Sequence, residues 1–176
     1  MHELPRVKLV PISVAHTDLV LQWRADPVIA RELFSEKPPT REEHLAWLAT
    51  LGTNRREFVI EATEDQRPLG TIGLSRIDLY NANAEYGILL GKEARGRGFG
   101  FAASELLLKH AFDELLLHRL YLRVFANNEP AIKLYERLGF QREGLLREQG
   151  RSDLGFRDVI FMGLLKREWH TRASRS

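Results

Sequence analysis

The residues best placed to do chemistry in this 176-residue chain are Arg95-Gly96-Arg97-Gly98-Phe99-Gly100. Glycine accepts positive φ without steric cost, so glycines at alternate positions let the backbone curl until several N–H groups converge. A long helical pattern follows, and its first turn adds unpaired N–H donors and the positive end of the helix dipole. Arg95 and Arg97 add full charge. Such a seat suits a phosphate or pyrophosphate and points to a nucleotide-like ligand. A second constellation runs from Asn128 to Phe140. Asn128 and Tyr135 are seven residues apart, close to two helical turns, so an amide and a phenol share one helix face.

Other chemistries fit poorly. There is no G-x-x-x-x-G-K-[ST], which excludes a P-loop nucleotidase. Gly98-Phe99-Gly100-Phe101-Ala102-Ala103 matches the relaxed dinucleotide fingerprint G-x-G-x-x-A. That fingerprint opens a mainly parallel sheet, whereas here it lies past the midpoint, behind an antiparallel pattern. His110 and His118 are eight residues apart with no third ligand and no H-E-x-x-H, so no metal site is expected. The chain has no cysteine, which excludes disulfides, thiolate zinc sites and a cysteine nucleophile. A net charge of +2 is too small to argue for nucleic acid. No apolar run approaches the ~20 residues needed to cross a bilayer. The N-terminus lacks a signal-peptide core, so the expectation is a cytoplasmic protein.

The elements that must hold these residues read as one domain over 5–168, followed by a solvated, basic tail at 169–176. Val7 to Ile12 reads as a strand. Helices are expected over His16 to Ala25, Val28 to Phe34 and, behind a Thr40–Glu43 capping box, to about Leu51. Strands Glu57 to Ala62, Pro68 to Ile77 and Ala84 to Leu90 form a meander with short turns. A helix from Gly100 to about Leu116, with Leu106, Leu107, Ala111, Phe112 and Leu115 toward the core, leads to strand Arg119 to Phe125 and a locally parallel pair. Asn128 caps the next helix, and Gly139 ends it. Two strands, Phe140 to Arg147 and Gly155 to Leu165, close the chain. The fold class is α+β: a mostly antiparallel, twisted sheet with helices on both faces.

Arg95-x-x-Gly98-x-Gly100, then Asn128-x-x-Ala131-x-x-x-Tyr135, then Leu138-Gly139-Phe140, resembles the GNAT superfamily of acetyl-CoA-dependent N-acetyltransferases in order and spacing. The C-terminal half is similar to spermidine and ribosomal-protein acetyltransferases. The N-terminal half, Leu21-Gln22-Trp23-Arg24-Ala25-Asp26-Pro27 and Glu43-His44-Leu45-Ala46-Trp47, resembles the branch acetylating 4-amino groups of nucleotide-linked sugars.

The resemblance implies the GNAT fold with a central splayed parallel strand pair. It also implies acetyl-CoA as co-substrate, with its pyrophosphate on the backbone of Arg95, Gly96, Arg97, Gly98, Phe99, Gly100 and Phe101. Its pantetheine arm would pair with the backbone of Ile88, Leu89 and Leu90 and meet Asn128, and Lys133 would reach a nucleotide phosphate. The acetyl group passes directly to an amine, with Tyr135 as general acid on the departing thiolate. Glu85 reads equally as the base and as a surface carboxylate. Arg24 and His44 are acceptor-side candidates that also fit ordinary helix positions. Arg142, Arg147, Arg151 and Arg157 read as solvated strand faces. The expected acceptor is a small primary amine, with a nucleotide-linked amino sugar ahead of a protein N-terminus or a polyamine. A polyamine site would need carboxylates such as Glu32, Glu36, Glu42 and Glu43. A CoA-binding sensor without turnover is the reading from another class. Self-pairing through the late strands makes a homodimer plausible.

Overall fold

The computed structural model describes residues 4–35, 37–152 and 155–173. Strands β1 (Val7–Pro11), β2 (Arg56–Ala62), β3 (Pro68–Asp78) and β4 (Asn83–Leu90) form an antiparallel meander. β5 (Arg119–Phe125) lies parallel to β4, and the hairpin of β6 (Gln141–Ser152) and β7 (Gly155–Leu165) completes the sheet. The order across its seven strands is β1-β2-β3-β4-β5-β7-β6, so β7 is inserted between β5 and β6.

Helices cover both faces. One side carries α1 (Thr17–Ala25), the single turn α2 (Pro27–Ala30) and α3 (Arg41–Ala49). Here Ile12, Val20 and Val59 form a small core with Trp23, Trp47 and Leu48 against it. The other side carries α4 (Phe99–Lys109), α5 (Glu129–Leu138) and α6 (Lys166–Ala173) over the main core. Both expected caps form: Thr40 Oγ accepts from the Glu43 N–H while Glu43 accepts from the Thr40 N–H. Gly139 ends α5 with φ 98°, a left-handed conformation suited to glycine.

The pairing of β4 with β5 decides the site. It covers only Asn83 with Arg119, Ala84 with Leu120 and Glu85 with Tyr121. Beyond Glu85 the strands part, and β4 runs on to Leu90 beside β3 alone. Side chains alternate along β4. Tyr86, Ile88 and Leu90 face α4, where Tyr86 is hydrogen-bonded to Ser104 and the two aliphatic chains approach Gly100. Glu85, Gly87 and Leu89 face the N-terminal helices.

Several expectations change. The helix expected over Val28 to Phe34 is only the turn α2, capped by Asp26 through the Val28 N–H; past Ala30 the bonds tighten to three-residue spacing, from the Glu32 N–H to Ile29 O and from the Leu33 N–H to Ala30 O, and the helix ends. α4 gives way to a π-helical turn over His110–Glu114, and Leu116 then takes φ 55°. Leu106 is exposed, while its neighbours Leu107 and Leu108 are fully buried. The tail is not a solvated one. Lys166–Ala173 form α6, Trp169 is buried with its ring against Phe112, and Arg172 is paired with Glu105 of α4. Residues 174–176 lie outside the described residues. Arg157 is not on a solvated face either; it is half-buried, over the Phe125 ring and paired with Glu32.

Trp169 is a core residue, so Trp169→Ala should cost roughly 3 kcal/mol or more. That lowers Tm by about 10 °C in a chain of this size. Thermal unfolding checks it, and a loss under 3 °C would contradict the packing of α6.

Candidate active site

The glycine loop forms by two different devices. Gly96 and Gly98 take φ 70° and 82°, as the curl requires. Gly100 is ordinary helix and is selected by packing instead, since a Cβ there would lie 2.9 Å from Leu90 Cδ1. α4 begins at Phe99, and its first turn closes when the Ala102 N–H donates to Gly98 O. The N–H groups of Phe99, Gly100 and Phe101 therefore have no intrahelical acceptor and remain available to an anion. Arg95 turns back so that Nε donates to Leu90 O at 3.1 Å. Arg97 donates to Glu93 O and stacks over Phe99.

A cavity of about 1040 Å³ opens from this loop along the parted strands. The Gly91 N–H donates to Leu69 O. By strand alternation, the N–H and C=O groups of Glu85, Gly87 and Leu89 then point to β3, and those of Ile88 and Leu90, past the last pair with β5, point into the opening. Leu89, expected to offer main-chain groups to a ligand, is thus turned the other way and lines the cavity with its side chain.

Asn128, the cap of α5, and Tyr135 on α5 both line the cavity. Asn128 Oδ1 accepts from the Ala131 N–H at 3.3 Å, which leaves its amide donors without a partner among the described residues. Tyr135 is buried, with its ring edge-on to Tyr86 at 5.8 Å. Its hydroxyl also has no hydrogen-bond partner among the described residues. Burial raises its pKa far above the usual tyrosine value, so the proton stays on the oxygen at neutral pH. Lys133 is exposed beside Glu129. Arg137, four residues on and therefore on the same face, stacks over Phe101 at 4.1 Å and lines the same end. That spacing was the available signal for Arg137.

Glu85 sits on the cavity wall with both oxygens engaged: Arg123 Nε at 2.8 Å and Arg76 Nε at 3.4 Å. Arg24 also lines the cavity and donates to Ser35 Oγ at 3.1 Å. His44 does not reach it. His44 is buried between helices beside Trp47, so its candidacy as an acceptor residue is not supported. Burial, then Arg24 and Arg41, lower its pKa. Glu57 was missed. Its carboxylate lies over Gly73, where a Cβ would be 2.4 Å from Oε2, and Arg55 is 3.9 Å away. Burial pushes its pKa up to about 7 against the pull of Arg55 and Arg24. The signal was alternation, since Glu57 shares a strand face with buried Val59. Among the described residues no cluster of three or more metal-ligating side chains occurs, and no helix is long and apolar enough to cross a membrane.

A sheet parted beside a glycine seat, with a free phenol on the wall, defines an acyltransferase site for a nucleotide-tailed donor. Residues 6–141 match the acetyltransferase (GNAT) domain model. The chain is 32% identical over 171 residues to the N-acetyltransferase p20 of Bacillus licheniformis, covering 93% of this chain and 95% of that one. It is 32% identical over 147 residues to a spermidine N(1)-acetyltransferase of Escherichia coli K12, covering 84% of this chain and 74% of that one. The crystal structure of a Vibrio cholerae spermidine N-acetyltransferase in complex with CoA and spermine superposes with a TM-score of 0.87 at 26% identity, over 93% of this chain and 98% of that one. The protein belongs to the GNAT acetyltransferase family. It is an N-acetyltransferase, and its acyl donor is acetyl-CoA.

Because the fold disfavours ionised Glu57, wild-type stability falls as pH rises from about 4.5 to about 7. Glu57→Gln should therefore be more stable than wild type at pH 8.5, by on the order of 3 kcal/mol. The gain should vanish near pH 4.5. Urea unfolding at the two pH values checks the sign.

Proposed function

We propose that the enzyme moves the acetyl group directly from acetyl-CoA to a small primary amine, without an acyl-enzyme. One observation supports the reading: Tyr135, whose hydroxyl has no hydrogen-bond partner among the described residues, lines the same cavity as Ile88, Leu90 and the glycine loop. The N–H groups around Gly98 and the first turn of α4 hold the diphosphate, with Arg137 and Lys133 alongside. The main-chain groups of Ile88 and the N–H of Leu90 grip the amide-bearing arm as an added strand would, and Asn128 closes over it. Tyr135 gives its proton to the leaving thiolate, whose conjugate acid titrates near ~8.5.

Glu85 receives the amine. Each carboxylate oxygen has two lone pairs, and one guanidinium on each leaves the other to accept an amine N–H, directly or through water. The acceptor we favour is a nucleotide-linked amino sugar. A polyamine needs a carboxylate-lined cleft, and the described candidates do not supply one. Glu42 and Glu43 lie at the start of α3 and do not line the cavity, and Glu32 is paired with Arg157. Glu36 lies outside the described residues.

The reaction belongs in the cytoplasm, where its donor is found. A structural neighbour from Vibrio cholerae is dodecameric. In this chain the edge strand β6 exposes Leu145 and Leu146, and we assign self-association as a homodimer to that edge.

Release of free thiol from acetyl-CoA, measured against a panel of amines, tests the function. Tyr135→Phe should lower kcat by about 10²–10³-fold with little change in KM for acetyl-CoA. Turnover at the wild-type rate would reject the acid role. Glu85→Gln should lower kcat/KM and move the profile to higher pH, and an unmoved profile would leave Glu85 a purely structural carboxylate.

A further inference from the structure

We propose that the acceptor amine carries an oxyanion, a phosphate or a carboxylate, and that Arg24, Arg55 and Arg76 bind it on the sheet face that carries Glu85. The proposal rests on the acetyltransferase reading and narrows its acceptor.

Charge on this wall is unbalanced. Among the described residues, Arg24, Arg55, Arg76 and Arg123 line the cavity here, against Glu32 and Glu85. Each carboxylate is already matched. Glu85 takes Arg123 and Arg76, and Glu32 takes Arg157 from behind the wall. Arg24 and Arg55 share the single carboxylate of Glu57, which does not itself line the cavity. Five guanidiniums thus serve three carboxylates, and the excess positive charge faces the cavity. A polycationic acceptor would add like charge to a wall already in excess.

The donors are also incomplete. Arg24 Nε is buried with no hydrogen-bond partner. A buried donor left unmade costs free energy, and a planar guanidinium suits a two-oxygen acceptor. Ser35 and Ser75 stand on the same wall. The floor beneath Glu85 is bare at Gly87, where a Cβ would meet nothing within 4 Å, while its cross-strand partner Gly73 is covered by the Glu57 carboxylate. An acceptor can therefore lie flat on the sheet, with its amine at Glu85 and its oxyanion against the arginines.

The test uses matched amines that differ only in the oxyanion: glucosamine against glucosamine 1-phosphate, and glycine against glycinamide, with spermidine as the cationic control. Thiol release supplies kcat and KM, and calorimetry on the CoA-loaded enzyme supplies binding. The charged member of at least one pair should have kcat/KM higher by about 30-fold, mainly through KM, and tighter binding in step. The pair that responds identifies phosphate or carboxylate as the source. Arg76→Gln, at an exposed position where folding is safe, and Arg24→Gln should each shrink that ratio roughly tenfold. Added salt should raise KM for the charged member alone. Equal values within both pairs, or spermidine as the best acceptor, would overturn the proposal. No thiol release with any of the amines, alongside selective binding of a charged member, would instead defeat the catalytic reading and leave the oxyanion site standing.

Discussion

Everything in this protein depends on the parting of β4 from β5 after Glu85. A continuous sheet would satisfy the main-chain groups of Ile88 and Leu90 and leave no room for a ligand. The fold instead leaves them without a strand partner at the centre of the sheet, where such groups are costly, and Leu90 O is met by Arg95 Nε instead. What holds the strands apart is packing on the α4–α5 side. Tyr135 stands edge-on to Tyr86, and Leu134 reaches the face of Gly100. Tyr86, Ser104 and Gly100 O form a hydrogen-bonded chain that ties β4 to the first turn of α4. The same contacts fix the glycine loop, so the seat for the diphosphate and the slot for the arm are one structure.

The two faces of the parted strands do different work. The α4 side supplies main-chain N–H donors, which read charge and shape but little else. The opposite side supplies guanidiniums and carboxylates carried by β2, β3, β5 and the N-terminal helices. Arg157 links these regions: it donates to Arg31 O at 2.6 Å, to Asn127 Oδ1 at 3.1 Å and pairs with Glu32. It therefore ties β7, the segment after α2 and the approach to α5 into one rim. Two buried titratable groups on this face pull in opposite directions with pH, His44 resisting protonation and Glu57 resisting ionisation.

Much of this was legible in the residue pattern. The alternation of β2 to β4, the Thr40 and Asn128 caps and Gly139 as a helix stop are local effects, decided by neighbours a few positions away. The glycine loop was legible for the same reason, although Gly100 serves close packing rather than a turn. The failures were non-local. α6 looked like a frayed tail because its charge is visible in sequence, whereas the Phe112 ring that receives Trp169 belongs to a distant segment. Arg157 looked solvated because its strand neighbours are; only folding sets it over Phe125.

The chain by itself determined the family, the order of its elements and the loop that seats a diphosphate, because spacing along a helix or strand sets which side chains and N–H groups point together. Tertiary structure alone decided which carboxylates are free, which arginines are in excess and that His44 is shut away from the cavity. Those properties depend on distances between segments far apart in sequence, and charge balance in a cleft is the sum of neighbours that no local pattern records.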